Sequence, residues 1–425
     1  MEEIDNTLSE RPQITSRVHG FIRARIDAFE SLKHRDFRWY WLGMLASYNG
    51  MQMQMVARGW LVYTMTESAF ALGVVSAGFG LPLLLFSLYS GALADRMIKR
   101  NMILYSRLGM GIISLVITLL IVTDLIEIWH LVVASVLGGV LLAFYLPARQ
   151  AFVKELVGEE VLLNAVAMNS MAMNICRVAS PALAGVLLKI IGIPGVYWIV
   201  TISAGLVVIS LLMIPPGEVN QVKKGEPLLK DVKEGVRFVF SSKIMLILML
   251  LAFVPFMTGM SYQMLLPVFA KSVFNSGETG LGLLMSATGI GALTGSIVLA
   301  SLGDIKRKGL YTILSGFAFG IFMILFGMSN TLTLAFVFLV FVGGGSSVYM
   351  TLNMTLVMTH SPEEMVGRVM SIYMMTFGLM PVATLPAGAL AEVIGAPTTV
   401  VGFGIFMVLF LVVITLVEPR IRKLS

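Results

Sequence analysis

The chain holds one cysteine, four histidines and few charges, with Asp, Glu, Lys and Arg together making 13% of its 425 residues. A lone Cys176 permits no intrachain disulfide, which excludes a secreted disulfide scaffold. The histidines are scattered and form no metal-spaced cluster, so no metal site is expected. Soluble domains carry about 25% charged residues, and a chain with half that share cannot keep a soluble surface wet. No Gly-x-x-x-x-Gly-Lys-Ser/Thr loop exists, so ATP is not the direct energy source. The glycines of Gly289-Ile290-Gly291-Ala292-Leu293-Thr294-Gly295 have the wrong spacing for a nucleotide loop and lie in an apolar run, where they read as helix packing. No Ser, His and Asp set inside the apolar runs fits a nucleophile with its base. The chain therefore reads as a non-enzyme with no catalytic residues and no cofactor.

What is abundant is apolar sequence: 57% of the residues are hydrophobic, and the mean hydropathy is +0.89. A hydrocarbon core about 30 Å thick needs roughly 20 apolar residues per helix. Such runs cover 39–64, 69–93, 102–123, 131–152, 163–189, 195–214, 244–270, 279–301, 310–328, 332–358, 365–391 and 398–417. They are continuous rather than alternating, which argues against a porin-type barrel. The expected fold is an all-α polytopic membrane protein with twelve transmembrane helices.

The net charge of +6 is a matter of topology, not of nucleic-acid binding. Arg96, Lys99, Arg100, Lys154, Lys223, Lys224, Lys230, Lys306, Arg307, Lys308 and Arg368 fall in even-numbered loops, whereas the odd-numbered ones carry Lys189 and Lys271. Basic loops stay on the cytoplasmic side, so both termini are expected inside, in the cell (inner) membrane. The polar stretch 1–38 reads as a cytoplasmic segment rather than a signal peptide, with 16–30 a candidate surface helix. A bundle over 39–214 is followed by a polar linker, 215–242. Its Leu228, Leu229, Val232, Val236 and Val239 alternate with charges as an amphipathic helix on the inner membrane face. A second bundle, 243–418, and a tail, 419–425, complete the chain.

The two bundles repeat each other. An offset of 209 residues places Asp95 on Asp304 and Lys99 on Lys308, and an offset of 203 places Ile191-Gly192 and Pro194 on Ile394-Gly395 and Pro397. Six spans per half give both halves the same orientation, with any solute site between them near mid-membrane.

The loop after the second span reads Gly91-Ala92-Leu93-Ala94-Asp95-Arg96-Met97-Ile98-Lys99-Arg100, and Gly303-Asp304-Ile305-Lys306-Arg307-Lys308 is a degenerate copy after the eighth. This resembles the Gly-x-x-x-Asp-Arg-x-x-Arg-Arg loop of the major facilitator superfamily, with Lys99 in one basic position. In physical terms Gly91 permits close helix approach. Asp95 can accept from a neighbouring helix N-terminus, and Arg96, Lys99 and Arg100 hold the loop at the anionic leaflet. Ser180-Pro181-Ala182-Leu183-Ala184-Gly185 in the fifth span is similar to the superfamily's antiporter signature, with Ser180 and Ala184 in place of two glycines. Export by antiport and plain small-residue packing both explain it. His34-Arg35-Asp36-Phe37-Arg38, Trp60-Leu61-Val62-Tyr63, Leu81-Pro82-Leu83-Leu84 and Tyr145-Leu146-Pro147-Ala148-Arg149-Gln150 resemble the branch of enterobactin exporters and related drug-efflux proteins. Many members of that branch carry an Asp early in the first span, where this chain has Met51, Gln52 and Gln54. The usual proton-coupling carboxylate is therefore not expected there. The outer Glu67 and Glu392 become the candidate coupling acids.

Two cations fall well inside spans, away from their ends: Arg177 near the midplane of the fifth and Arg58 in the outer half of the first. A central Arg costs about 2.5–3.5 kcal/mol on insertion scales, so each must face protein, water or ligand. Ser170, Asn174 and Arg177 share a helix face, as do Gln54 and Arg58. A structural role and an anion-binding role remain open for both arginines. Tyr48, Asn49, Gln52, Tyr262, Gln263, Tyr349 and Asn353 are further candidate cavity residues, each equally explained by an interhelical hydrogen bond. The expected function is a secondary active transporter, an ion-coupled exporter of amphipathic or anionic solutes (siderophore or drug-like) by alternating access, with protons the candidate coupling ion. An importer, a lysolipid flippase or a non-transporting membrane sensor are the alternatives.

Overall fold

Helices begin and end close to where the apolar runs do. The computed structural model describes residues 30–94, 97–215, 228–259, 261–303 and 305–424; the candidate surface helix at 16–30 lies almost wholly outside them. Among the described residues there is no strand. In hydrocarbon every backbone N–H must be satisfied within its own segment, and helices do this. The twelve spans, referred to by ordinal, start with Arg35–Thr66, Ala69–Ala94, Lys99–Val122 and Ile128–Val157. The fifth and sixth lie within Leu162–Leu212, and the seventh is Lys243–Val273. Gly277–Ser301, Lys308–Gly327, Leu332–Thr359, Val366–Ile394 and Ala396–Val417 complete the set. The first span starts four residues before its apolar run, because Phe37 and Tyr40 are fully buried and carry the helix outward.

Two deviations from simple spans have backbone causes. The fifth and sixth run on through a kink at Gly192, whose φ of 70° suits glycine, with Pro194 two residues later. Gly395, at φ 83°, with Pro397 separates the eleventh and twelfth in the same way, so the 203-residue repeat appears as a matched pair of tight hairpins. The seventh span, expected as one helix, breaks into π-helical turns at Pro255–Gly259 and Phe269–Val273 around a 3₁₀ turn at Ser261–Leu265. Pro255 and Pro267 have no N–H to donate, and the ladder shifts register around them.

The packing obeys the same pseudo-twofold relation. The second span lies on the fourth and the third on the sixth, while the eighth lies on the tenth and the ninth on the twelfth. Between halves the second packs on the eleventh and the eighth on the fifth. The amphipathic segment forms the helix Leu228–Ser241. Its Glu234 pairs with Arg368 at 2.9 Å, and Val239 is buried, so it docks under the eleventh span. After the twelfth span a 3₁₀ turn, Pro419–Lys423, buries Ile421 and hands the Leu424 carbonyl to the Gly309 amide at 3.0 Å.

Candidate functional site

Three cavities line up around the first span. The largest, about 330 Å³, lies between the halves and is walled by Met55, Arg58, Phe79, Gln263, Met285 and Thr384 among others. A second, about 210 Å³, is walled by Tyr48, Gln52, Met173, Arg177, Gln263 and Thr288. Met55, Gln263 and Met285 are common to both, so the two form adjoining compartments of one inter-half space. A third, about 110 Å³, lies inside the N-terminal bundle with Gln54 and Arg58 on its wall. Arg58 donates to the Ser135 hydroxyl at 3.3 Å and lies 5.6 Å from the centre of the Phe79 ring. The irregular backbone of the seventh span is what brings Gln263 and Leu266 to these walls.

Of the expected residues, Arg177, Arg58, Gln54, Tyr48, Gln52 and Gln263 line these three cavities, whereas Ser170, Asn174, Asn49, Tyr262, Tyr349 and Asn353 line none of them. Ser170 is exposed and bonds back to the Val166 carbonyl at 2.9 Å. Asn174 is half-buried on the same helix and lines none of the three cavities. Tyr262 is buried against Phe326, with ring centres 6.2 Å apart, while its neighbour Gln263 takes the cavity position. Asn353 is fully buried and donates to the Leu248 carbonyl at 3.2 Å, tying the tenth span to the seventh. Hydropathy places a residue on a span but not the rotation of that span about its axis, and rotation decides these cases.

Two further cations, not singled out by the sequence pattern, are placed by the fold. Arg107 of the third span is buried with its guanidinium 3.8 Å from the centre of the Tyr145 ring, and Arg149 of the fourth donates to the Tyr48 hydroxyl at 2.7 Å. The spacing of Tyr145 and Arg149 one turn apart, with Arg107 inside its own span, is the signal that could have found them.

At the end opposite the chain termini, the far end, polar contacts join the halves. Glu392 of the eleventh span accepts from the Ser68 hydroxyl at 3.0 Å and from the amides of Ala69 at 2.8 Å and Phe70 at 3.2 Å. It thus caps the second span from the opposite half, where a helix dipole favours an anion. Glu67 pairs with Lys271 at 2.9 Å, and Tyr63 meets the Ser272 hydroxyl at 2.7 Å. Hydrogen bonding to the Lys271 ammonium, reinforced by its charge, holds the Glu67 carboxyl below the usual carboxylate range. Backbones also touch: a Cβ on Gly73 or Gly388 would lie 2.7 Å from the carbonyl oxygen of Thr384 or Ala69. One on Gly185 would lie 2.6 Å from the Glu278 carbonyl oxygen, and one on Gly282 would lie 2.5 Å from that of Pro181.

Comparison with known proteins decides the family. Residues 26–424 match the family described as transmembrane secretion effector. The chain is a major facilitator superfamily transporter of that family. It is 26% identical over 375 residues to the staphyloferrin A transporter of Staphylococcus aureus, covering 86% of this chain and 92% of the relative. It is 27% identical over 394 residues to the enterobactin exporter EntS of Escherichia coli O1:K1, covering 91% and 93%. In fold it is similar to the crystal structure of the nucleoside transporter NupG, with a TM-score of 0.72 at 12% identity over 90% of this chain and 98% of the other.

The superfamily loop can be followed in part. Gly91 lies in the second span, while Asp95, Arg96 and Asp304 lie outside the described residues. Lys99 pairs with Glu155 of the fourth span, and Arg100 donates to the Leu211 carbonyl at 3.0 Å and the Leu212 carbonyl at 3.5 Å. These two basic side chains therefore tie helices of one half together, a job beyond holding a loop at the lipid surface. Lys308, their counterpart, opens the ninth span. In this transporter the antiporter-like Ser180, Pro181 and Gly185 are buried, and the last two form the backbone crossing with the eighth span.

Proposed function

We propose that the chain is a secondary active exporter of anionic, amphipathic organic solutes, working by alternating access between its halves. One observation carries the reading. Arg177 and Arg58 face the inter-half space, and the described residues lining it include no carboxylate. In a low-dielectric chamber such a field favours anions and rejects cations, while the surrounding Met55, Met173, Met264 and Met285 offer adaptable apolar contact. The names of the relatives, a staphyloferrin A transporter and an enterobactin exporter, support siderophore-like cargo. With the termini cytoplasmic, as the basic loops indicate, the joined far end is the outer gate.

Proton coupling is the second part of the proposal. With Lys271 holding Glu67 ionised, Glu392 is the acid whose protonation would release a contact between halves. Unchanged proton flux per solute in Glu392→Gln would overturn that assignment.

The test of function is counterflow in proteoliposomes loaded with acidic or cationic solutes. Anions are expected to exchange and cations to exchange poorly. A planar guanidinium binds carboxylates as a fork, which an ammonium does not reproduce. Arg177→Lys should therefore lose much of the exchange and Arg177→Gln nearly all of it. Preferential exchange of cations, or of lysolipid, would overturn the reading, as would wild-type anion exchange in Arg177→Gln.

A further inference from the structure

The cavity of about 110 Å³ inside the N-terminal bundle is not part of the space between the halves, yet it is lined by two arginines. Arg58 enters from the first span and Arg107 from the third, with Gln54, Ser47, Ser114 and Ser203 around them. The described lining residues include no carboxylate. Arg107 is 9% exposed, and its Nε is buried without a hydrogen-bond partner among the described residues. Its contact to Met110 sulfur, 3.7 Å from one terminal nitrogen, is a weak one.

The geometry of stacking explains what is left over. The Tyr145 ring, centred 3.8 Å away, covers a face of the Arg107 guanidinium. A stacked guanidinium is compensated through its face, but its five N–H donors lie in its plane and point outward from its edge. Burial makes an unmet donor costly, and a second cation on the same wall adds repulsion rather than relief. A group that accepts in-plane hydrogen bonds and carries negative charge satisfies both arginines at once.

We propose that this cavity is a second anion subsite, taking one compact oxyanion of the carboxylate type between Arg107 and Arg58. Its size suits a carboxylate, not a whole organic solute. Arg58 and Phe79 line both this cavity and the larger inter-half one, so they form the wall between them. The carboxylate has two sources: a free small anion, or an acidic arm of the carried solute reaching past Arg58. The second source rests on the export reading above; the first does not.

The experiment is thermal unfolding of the purified full-length transporter in detergent, titrated with formate at fixed ionic strength against gluconate, which is too large for the cavity. Saturable stabilisation by formate is expected. It should weaken by at least roughly tenfold in apparent affinity in Arg107→Gln, which loses a charge-assisted contact. Arg107→Lys keeps the cation but not the fork, and should weaken it too. Equal affinity for formate and for longer dicarboxylates points to a free anion. Tighter dicarboxylate binding, with the gain lost in Arg177→Gln, points to a solute arm. Either result supports the site. Absence of a saturable formate effect in the wild type overturns the proposal, and so does full formate affinity in a folded Arg107 variant. Failure of anion counterflow with formate binding intact would sink the export reading and leave this one standing.

Discussion

The two ends of the molecule are built on different terms. At the far end the halves hold each other through Glu392 on the second span's amides, Glu67 on Lys271, Tyr63 on Ser272 and backbone touching backbone at Gly73 and Gly388. At the end of the termini, Lys99 with Glu155, Arg100 with Leu211, and Lys243 with Glu418 at 2.7 Å each stay within one half. Arg368 pairs with Glu234 of the linker helix at 2.9 Å. Among the described residues, these contacts make one end a joint between halves, while at the other they stiffen each half separately. Under the alternating access proposed above, the first set would have to open in a cycle and the second to survive it.

The joint is disrupted most severely at the crossing of the fifth and eighth spans. Gly282→Leu puts a side chain where even a Cβ lies 2.5 Å from the Pro181 carbonyl oxygen. Overpacking costs about 1–3 kcal/mol in ordinary cores, and here the obstacle is backbone. We expect the far end to be forced open and exchange to be lost. The readout is labelling of Ser76→Cys, on the inter-half cavity wall, by an impermeant thiol reagent from the far side. Cys176, the lone native thiol, is removed first.

In the superfamily-type loop, Asp95→Asn should leave the protein folded and inserted but slow turnover roughly tenfold, if the carboxylate makes the charge-assisted bond to a helix terminus that the motif implies. Wild-type turnover at normal expression would return that loop to a purely topological role. Glu392→Gln keeps an acceptor but removes the charge from the cap. An exposed charge at a helix N-terminus contributes about 1 kcal/mol, so the open far end should gain roughly fivefold in Ser76→Cys labelling.

Glu67→Gln is the smallest change, because the pair with Lys271 is solvent-exposed. Its pH dependence has a definite sign. A carboxyl held below its ordinary value of about 4.5 contributes fully above that value, and the contribution fades as pH falls through the depressed one. Far-end labelling should therefore not respond to this pair between about pH 5 and pH 8. A response there that vanishes in Glu67→Gln would contradict the assignment.

Much of the architecture is legible in the amino-acid sequence. Spans follow apolar runs because hydrocarbon permits little else, and the Gly192 and Gly395 hairpins sit where the internal repeat places them. The site is legible in type but not in membership. Arg177 and Arg58 stand out because a cation in an apolar run needs a reason. Arg107 and Arg149 stand out less, since beyond the one-turn spacing of Tyr145 and Arg149 their contacts run between helices: Arg107 to Tyr145 of the fourth span and Arg149 to Tyr48 of the first. Tyr262 and Asn353 look polar enough to face a cavity, yet the packing of the seventh span turns both into the core. Glu67 and Glu392 are recognisable as outer acids, but their partners lie 204 and 323 residues away in the chain.

The crossing of the fifth and eighth spans has a mechanical consequence. It runs from Gly185 against Gly282 to Gly289 against the Arg177 carbonyl, about 12 Å along the fifth span and about 10.5 Å along the eighth at 1.5 Å per residue. Along that length glycine backbones meet the opposing helix at several points. At such points the surfaces can part and meet again without turning a rotamer, since no side chain stands between them. The last tooth of this zip is the residue that carries a cavity guanidinium. On the anion-binding role proposed for Arg177, a solute held there would act at one end of this seam between the halves.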